Sequence, residues 1–258
     1  MNELKEFKAG ELTVKIYETR AIMGREAANE AAALIKKLLE EKAEVNIVFA
    51  AAPSQNEFLA SLSTAEGIDW GRINAFHMDE YIGLHKDAPQ GFGNFLRDRI
   101  FGKLPFKSIN YLNGNAENAE EECKRYSGLL KAFPTDIVSM GIGENGHIAF
   151  NDPHVADFED KEMVKVVELD ERCRNQQVND GCFKTINEVP THALTLTIPA
   201  LLAGKYIFCV VPGSTKTEAV TNTVKGEITT ACPASILKKH SNAVLYVDRD
   251  SGRNILQA

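Results

Sequence analysis

Short apolar runs alternate with longer stretches of helical spacing along most of the chain. The runs lie at residues 12–17, 45–50, 73–76, 108–112, 136–140, 164–169, 193–197, 206–211 and 244–247. Two of the stretches between them, 21–42 and 116–132, have the spacing and composition of helices. Strands that alternate with helices are typical of βαβ units. The pattern therefore predicts an α/β protein with a mainly parallel sheet between two helical layers, a three-layer α/β/α arrangement.

The length suits a single domain spanning residues 1–258. A chain of 258 residues with 44% hydrophobic and 25% charged residues can bury one core of that size. No internal repeat, low-complexity tract or linker interrupts the pattern in the sequence. We therefore expect one domain.

Charge and hydrophobicity exclude several classes of partner. The net charge is −7 and the pI is near 5.5, so we expect no binding to nucleic acid. No eighteen apolar residues run together and residues 1–8 lack the apolar core of a signal peptide, so we expect a cytoplasmic protein without a membrane span. The five cysteines are scattered and odd in number, so we expect reduced, packed thiols rather than a disulfide or zinc framework.

A glycine-rich loop follows the apolar run at 136–140. It reads Gly141-Ile142-Gly143-Glu144-Asn145-Gly146-His147-Ile148-Ala149-Phe150-Asn151-Asp152-Pro153. Ligands bind at the carboxyl ends of parallel strands, and an imidazole with a carboxylate can transfer protons near neutral pH. We therefore interpret His147 and Asp152 as parts of an active-site loop.

Two other interpretations of this loop stay open on the local sequence. The spacing Gly141-x-Gly143-x-x-Gly146 matches a dinucleotide fingerprint, but that motif needs a helix at its third glycine, and Pro153 with its two polar neighbours interrupts one. Alternatively, His147 is a core histidine whose hydrogen bonds are satisfied beside a glycine turn.

Polar residues also follow the run at 73–76, in the order His77-Met78-Asp79-Glu80-Tyr81. A solvated acidic loop is one interpretation, but Met78 and Tyr81 flank the carboxylates with side chains that favour burial. His77, Asp79 and His85 match no strong metal-ligand spacing, so we expect no metal site here.

Two strand-to-helix turns predict anion sites. We expect Ser54 to cap a helix at 55–62, because free N–H groups at a helix start bind anions, although it could serve as a cap alone. Gly213-Ser214-Thr215-Lys216 forms a second such turn, in which Lys216 could act as a phosphate-binding charge. The polar segment 170–183 carries Arg172, Arg174 and Gln177, and a solvated helix face is its simplest interpretation.

Four segments together resemble the glucosamine-6-phosphate deaminase/isomerase family, in order and spacing, over most of the chain. They are Phe76-His77-Met78-Asp79-Glu80-Tyr81-Ile82-Gly83-Leu84, Leu112-Asn113-Gly114-Asn115-Ala116, the loop at 141–153, and Gly213-Ser214-x-Lys216. The resemblance implies a modified Rossmann-like fold and a cytoplasmic enzyme of amino sugar metabolism, without metal or cofactor and often oligomeric. Such an enzyme converts an aminosugar phosphate, glucosamine 6-phosphate or a close relative, to a ketose phosphate and ammonia.

The resemblance also implies a role for each matching residue. Asp79 would move a proton from C2 to C1 of the sugar, and His147, oriented by Asp152, would open the sugar ring. Asn145 belongs to the same catalytic set. Backbone amides near Ser54 and Gln55, together with Lys216, would bind the phosphate.

Several positions depart from the family pattern. Residues 51–54 replace a Thr-Gly-Gly-Thr type of turn, and Pro53 has no N–H to donate. Gln177 stands where the family has a phosphate-binding arginine, so we expect Arg172 or Arg174 to replace it. Asn145 is often Asp in the family, and Asp152 is usually Glu.

Two other functions stay open: a 6-phosphogluconolactonase-like hydrolase on the same fold, and a non-catalytic sugar-phosphate sensor. Asp79 favours the isomerase over the lactonase, because lactone hydrolysis has no C2 proton to remove. We find no helix-turn-helix pattern ahead of Leu12, which counts against a fused regulator.

Overall fold

The computed structural model describes residues 3–256, and its largest sheet has eight strands within that range. They are β1 (Glu3–Ala9), β2 (Leu12–Tyr17), β3 (Val45–Phe49), β4 (Ile73–His77), β6 (Ser108–Asn110), β7 (Ile137–Met140), β10 (Tyr206–Val211) and β11 (Ala243–Asp248). Their order is β1-β2-β11-β10-β7-β3-β4-β6, and every neighbouring pair is parallel except β1 with β2. The prediction of a mainly parallel sheet is confirmed. The edge strand β1 is an addition that sequence patterning did not predict.

A second, antiparallel sheet carries three short strands: β5 (Asp79–Tyr81), β9 (His192–Leu196) and β8 (Val164–Glu168), in the order β5-β9-β8. The sequence predicts β8 and β9 as strands but not their separate sheet. Only Met78 separates β5 from the end of β4, so the chain passes directly from one sheet to the other. Asp79 therefore lies at the junction, paired with Thr195 of β9.

Eight α-helices accompany the strands in the described part of the chain. They are α1 (Arg20–Glu41), α2 (Asn56–Ser63), α3 (Phe92–Leu96), α4 (Ala119–Ala132), α5 (Glu171–Asn179), α6 (Ile198–Leu202), α7 (Thr217–Lys225) and α8 (Arg253–Leu256). Side chains cap four of them: Thr19 accepts from the third residue of α1, and Asn118, Asp170 and Thr197 do the same for the first turns of α4, α5 and α6. Each cap satisfies N–H groups that have no partner within the helix.

Alternate residues of the central strands supply two apolar clusters, one on each face of the large sheet. Ile47 and Phe49 of β3 join the cluster that holds the apolar faces of α1, α2 and α3. Val48 of the same strand joins the cluster of α4, α6, α7 and α8. All five residues of β3 are buried, so Phe49→Ala alone would destabilise the fold by about 3–5 kcal/mol. The two clusters, one on each face of the sheet and each covered by helices, confirm the predicted helix-sheet-helix layering.

Two composition-based expectations can be compared with the structure. No helix within residues 3–256 combines the length and apolar character that a membrane span requires. All five cysteines are free, and only Cys182 is partly exposed, in agreement with reduced and packed thiols.

Candidate active site

The carboxyl ends of β3, β4, β7 and β10 meet at a cavity of about 290 Å³. Six of the nine residues that the sequence predicts for the site line it: Ser54, Gln55, Asp79, His147, Gln177 and Lys216. Because parallel strands end at the same edge of a sheet, segments far apart in sequence converge there. Asn145 and Asp152 lie behind His147, and Arg172 lies elsewhere, as described below.

The loop after β7 holds the His147 ring by close backbone packing. A side chain at Gly143 would overlap the ring, and one at Gly146 would lie 2.8 Å from the Cys232 sulfur. Gly146 also has a φ of 85° and Ala149 a φ of 49°, which for alanine is a strained conformation. The loop therefore needs its glycines to bring the imidazole to the cavity wall.

Polar side chains behind His147 fix the orientation of its ring. His147 Nδ1 lies 2.7 Å from Asn145 Oδ1 and 2.9 Å from Asp152 Oδ1. Asn145 Nδ2 donates to Asp152 Oδ1 at 2.9 Å and to Asp170 Oδ2 at 3.0 Å. With two acceptors at Nδ1, this network assigns the proton of a neutral ring to Nδ1 and leaves Nε2 as a proton acceptor.

Asp152 is ionised within this network. Burial acts to raise its pKa, but the hydrogen bonds from His147, Asn145 and the backbone N–H of Asp170 lower the pKa below its ordinary value. Asp152 therefore stabilises positive charge on the imidazole when the ring accepts a proton.

His147, Asp152 and Cys173 also place their ligand atoms within 4.8 Å of one another, which is a spacing that could hold a metal ion. Burial, reinforced by Asp152, raises the pKa of the Cys173 thiol well above its ordinary value. A neutral thiol is a poor metal ligand, and Asp152 already hydrogen-bonds to two other groups. The donor set therefore fits a network that orients His147 better than it fits a metal centre.

Asp79 is a buried carboxylate at the cavity wall, with 6% of its surface exposed. Its Oδ1 is buried and has no hydrogen-bond partner among the described residues. Burial, with a smaller contribution from the charge of Glu80, raises the pKa of Asp79 well above its ordinary value. Asp79 is therefore a stronger base than an exposed carboxylate, with an oxygen free to accept a proton.

His77 and the second sheet hold Asp79 in place. His77 Nε2 accepts from the backbone N–H of Leu112 at 3.0 Å, so its Nδ1 donates to the Asp79 carbonyl at 2.9 Å. Burial lowers the pKa of His77 to about 4, so the ring is neutral at physiological pH. On the other side, Thr195 pairs with Asp79, and its hydroxyl accepts from the N–H of Phe150. The catalytic loop and Asp79 are thus fixed to the same strand.

Glu80, next to Asp79, has a structural role. Its two carboxylate oxygens accept the backbone N–H groups of Tyr81, Phe92 and Gly93 at 2.9, 3.0 and 2.9 Å. These bonds join β5 to the start of α3. Of the two neighbouring carboxylates, only Asp79 reaches the cavity with an unsatisfied oxygen.

Lys216 brings a buried ammonium group to the opposite part of the cavity. It ends the short 3₁₀ turn Ser214–Lys216 after β10, where Gly213 has a φ of 94°. Only 5% of Lys216 is exposed, and burial lowers its pKa. Its Nζ makes no hydrogen bond and no ion pair within residues 3–256. An ammonium group buried without an acidic partner is unfavourable, so the site favours an anion.

The predicted cap at Ser54 is wrong. Pro53–Gln55 forms a 3₁₀ turn that runs directly into α2, and neither element has a side-chain cap. Because the turn starts at Pro53, two residues earlier than the predicted helix start at Gln55, Ser54 lies inside it and its Oγ accepts from Gln55 Nε2 at 3.2 Å. Gln55 Nε2 also donates to the Val210 carbonyl at 3.1 Å, which joins the turn after β3 to the carboxyl end of β10.

The expectation that Arg172 or Arg174 replaces the missing arginine is not met by the geometry. Arg172 pairs with Glu218 at 2.9 Å on the surface, and Arg174 donates to the carbonyls of Ile186 and Val189. Neither lines the cavity. Gln177, on the same helix, does line the cavity, and it has no side-chain hydrogen bond within the described residues.

Arg20 lines the cavity instead, and the sequence analysis missed it. A signal was present, because Arg20 follows the carboxyl end of the strand at 12–17 and opens the first helix. The same strand-to-helix criterion that selected Ser54 and Lys216 applies to it.

Comparisons with known proteins place this arrangement in context. The family model described as glucosamine-6-phosphate isomerases/6-phosphogluconolactonase matches residues 18–246. The chain is 36% identical to curated glucosamine-6-phosphate deaminases of Bacillus thuringiensis (strain Al Hakam) and Bacillus cereus (strain AH820), over 84% of this chain and 81% of each relative.

Solved structures agree with the family match. A monomeric glucosamine-6-phosphate deaminase superposes with a TM-score of 0.84 at 31% identity, covering 93% of this chain and 98% of that one. A 6-phosphogluconolactonase from Thermotoga maritima has a TM-score of 0.74 at 19% identity, covering 91% of this chain and 98% of that one. The second likeness is one of fold alone.

Proposed function

The chain belongs to the family of glucosamine-6-phosphate isomerases and 6-phosphogluconolactonases, and within it we propose that the protein is an isomerising deaminase. Its substrate is glucosamine 6-phosphate or a close relative, and its products are a ketose phosphate and ammonia. The deaminase relatives at 36% identity and the deaminase structure at 31% identity support this reaction.

One observation carries the proposal: the cavity holds an unsatisfied buried carboxylate and an unpaired buried ammonium group. Asp79 supplies the first and Lys216 the second. An aldose-ketose isomerase needs a base at carbon, and a phosphorylated substrate needs a cation that holds it in register. Both unsatisfied groups obtain partners when a sugar phosphate binds.

His147 acts first, on the cyclic form of the sugar. Ring opening moves the proton of the anomeric hydroxyl to the ring oxygen as the bond between C1 and the ring oxygen breaks. His147 Nε2 accepts and returns that proton, while Asp152 stabilises the transient imidazolium. Asn145, which hydrogen-bonds to both residues, keeps the ring in position.

Asp79 then carries out the isomerisation. Its carboxylate takes the proton from C2, and the electrons of that C–H bond form a C1–C2 double bond. The C1 carbonyl oxygen becomes a hydroxyl by taking a proton from the substrate's own C2 ammonium group, which becomes a neutral amine. The same carboxyl returns the proton to C1, and the amine-bearing C2 becomes an imine. Water adds to C2, the C–N bond breaks, and ammonia leaves with the ketose phosphate as the second product.

The phosphate binds at the Lys216 end of the cavity. Ser54, Gln55 and Gln177 line this part of the molecule and offer neutral donors. Of these three residues and Lys216, Lys216 alone is charged. A charge-assisted hydrogen bond contributes about 1.5–3 kcal/mol, against about 0.5–1.5 for a neutral one. Lys216 is therefore the residue on which phosphate affinity should depend most.

Three wider expectations accompany the function. We propose that residues 1–258 form one domain, that the protein works in the cytoplasm and that it assembles as a homo-oligomer. A solved relative is described as monomeric, so oligomeric state is best measured by light scattering on the purified protein.

Product analysis tests the proposal. Purified protein is incubated with glucosamine 6-phosphate, and ammonia and ketose phosphate are measured separately; equal amounts of both are expected. With glucosamine 6-phosphate deuterated at C2, the ketose should carry deuterium at C1, because Asp79 returns there what it takes from C2. Release of ammonia without ketose phosphate, or no turnover at all, would contradict the reaction.

A lactonase remains the second candidate because the family includes such enzymes. The unsatisfied Asp79 counts against it, since hydrolysis of a lactone removes no proton from carbon. Acid release from 6-phosphogluconolactone is the matching assay. A rate well above the spontaneous one, with no ammonia from glucosamine 6-phosphate, would favour the lactonase.

A further inference from the structure

We propose that Arg20 is the second phosphate-binding cation of the cavity and that it selects phosphorylated over unphosphorylated sugars. The inference rests on the proposed function, since it assumes that the ligand is a sugar phosphate. It also names a residue outside the four segments that carry the family resemblance.

A close helix crossing brings Arg20 to the cavity. Gly24, one turn after Arg20 on α1, packs directly against α2, and a side chain there would lie 2.6 Å from Glu57 Cβ. Because the backbones approach this closely, the first turn of α1 lies beside the turn at Pro53–Gln55. Arg20 therefore reaches the cavity wall that also carries Ser54 and Gln55.

Hydrogen bonds aim the guanidinium group and leave part of it available. Nε and Nη2 donate to the Glu57 carboxylate at 2.7 and 2.9 Å, and Nη2 also donates to the Pro53 carbonyl at 3.2 Å. No hydrogen bond within residues 3–256 engages Nη1. Glu57 and Pro53 thus hold the Nε and Nη2 side of the planar guanidinium group, and its Nη1 can donate hydrogen bonds to a phosphate.

Local structure does not explain an arginine at this position. Arg20 is the first residue of a 22-residue helix, where the helix dipole disfavours a cation, and the first turn has no acidic residue to compensate. Its pair with Glu57 is partly exposed, with side-chain exposures of 45% and 30%, and such pairs stabilise little. An anion in the cavity would interact favourably with both the guanidinium and the start of α1.

Arg20 and Lys216 line the same cavity. The largest influence on the pKa of Arg20 is its hydrogen bond to Glu57, which raises it, and the largest on the pKa of Lys216 is burial, which lowers it. The charge of Asp180 has a smaller effect and raises the pKa of both groups. Asp180 itself lines the cavity and accepts from Gln176 at 3.3 Å. Both cations line the one cavity of about 290 Å³ in which we place the phosphate. Arg20 thereby supplies a charge at the turn where Pro53 offers no N–H.

Steady-state kinetics of Arg20→Gln, Arg20→Lys and a control, Arg25→Gln, test this role. Arg25 lies on the same helix and pairs with the adjacent Glu26 on the surface. We expect Arg20→Gln to raise KM for glucosamine 6-phosphate about 10- to 100-fold with kcat nearly unchanged, since one charge-assisted bond is lost. Arg20→Lys, which keeps the charge without the fork, should fall between, and the control should match the wild type.

Two further measurements separate phosphate binding from a structural role. Kinetics with unphosphorylated glucosamine should be unchanged in Arg20→Gln. Adding Gln177→Arg to that variant should recover much of the lost affinity, because position 177 faces the same cavity. An unchanged KM for the phosphorylated sugar in Arg20→Gln, or an equal loss for both sugars, would overturn the inference.

Binding of inorganic phosphate, followed by calorimetry, keeps this test independent of the reaction. If the wild type produces no ammonia, the proposed function fails, yet weaker phosphate binding in Arg20→Gln would still support Arg20 as an anion site. If the wild type is active and binds phosphate no better than Arg20→Gln does, the inference alone fails.

Discussion

Replacement of Lys216 by methionine removes the charge and keeps most of the side-chain volume. We predict that Lys216→Met weakens binding of phosphorylated sugars and, without ligand, stabilises the fold. Both effects have one cause, which is that Lys216 is buried at the cavity wall and its Nζ makes no hydrogen bond or ion pair among the described residues.

The magnitudes follow from that environment. Loss of a charge-assisted hydrogen bond costs about 1.5–3 kcal/mol, and each 1.4 kcal/mol corresponds to about a tenfold change in affinity. KM for glucosamine 6-phosphate should therefore rise by about one to two decades. Relief of an unpaired buried charge should add about 0.5–2 kcal/mol to the free energy of unfolding, a common gain where binding residues are replaced. For a chain of this size, that shift raises Tm by roughly 1–8 °C.

The assay compares kcat and KM for glucosamine 6-phosphate and glucosamine, with Tm measured in the presence and absence of inorganic phosphate. Burial lowers the pKa of Lys216, so its charge is lost at a lower pH than that of an ordinary lysine. The wild-type KM should accordingly rise as pH increases through the lowered pKa, and Lys216→Met should lack this dependence. Lys205→Met, on an exposed lysine away from the cavity, is the matched control.

Two results would refute the reasoning. One is a KM for the phosphorylated sugar that stays within a factor of three of the wild type in Lys216→Met. The other is a Tm that falls in the variant without ligand, because Lys216 would then have a stabilising partner.

Three other predictions concern the catalytic groups. Asp79→Asn should abolish turnover and hydrogen exchange at C2 without lowering Tm, and retention of a tenth of the wild-type rate would exclude Asp79 as the base. Because the pKa of Asp79 is raised, the wild-type kcat/KM should already fall with decreasing pH above the ordinary carboxylate range. His147→Ala should slow turnover of the cyclic substrate more than that of an open-chain analogue, and equal losses would contradict a role in ring opening. Because the pKa of His77 is lowered from 6.5 to about 4, the folded state binds fewer protons than the unfolded state between these values. Stability should be full above pH 6.5 and decrease by up to about 3 kcal/mol as pH falls to 4, a slope that denaturant titrations should find reduced in His77→Gln.

Local pattern was enough to predict the parallel part of the fold. A buried parallel strand is apolar over its whole length, as in β3 and β10, and its helix neighbours carry their own period. The carboxyl ends of parallel strands lie at one edge of the sheet, so it could also be predicted from the sequence that Asp79, His147 and Lys216 lie close together. Glycines after β7 and β10 marked the turns that carry two of these residues.

Pairing between distant segments was decided by tertiary structure. β5 has three residues and follows β4 directly, so nothing in its sequence shows that it leaves the large sheet to pair with β9. The cap assigned to Ser54 failed for a related reason, since Pro53 starts a 3₁₀ turn that is joined to strand β10, distant in the sequence, by the hydrogen bond from Gln55 to the Val210 carbonyl.

The cations of the site show the same division. The turn that carries Lys216 is local, so its type and position could be read from Gly213 and the preceding strand. The directions of Arg172 and Arg20 depend on how α5 and α1 pack against other elements. Arg172 follows the outer face of α5 to Glu218, while the close approach at Gly24 turns Arg20 toward the cavity. A long side chain goes where its helix is packed, and helix packing is set by residues far away in the sequence.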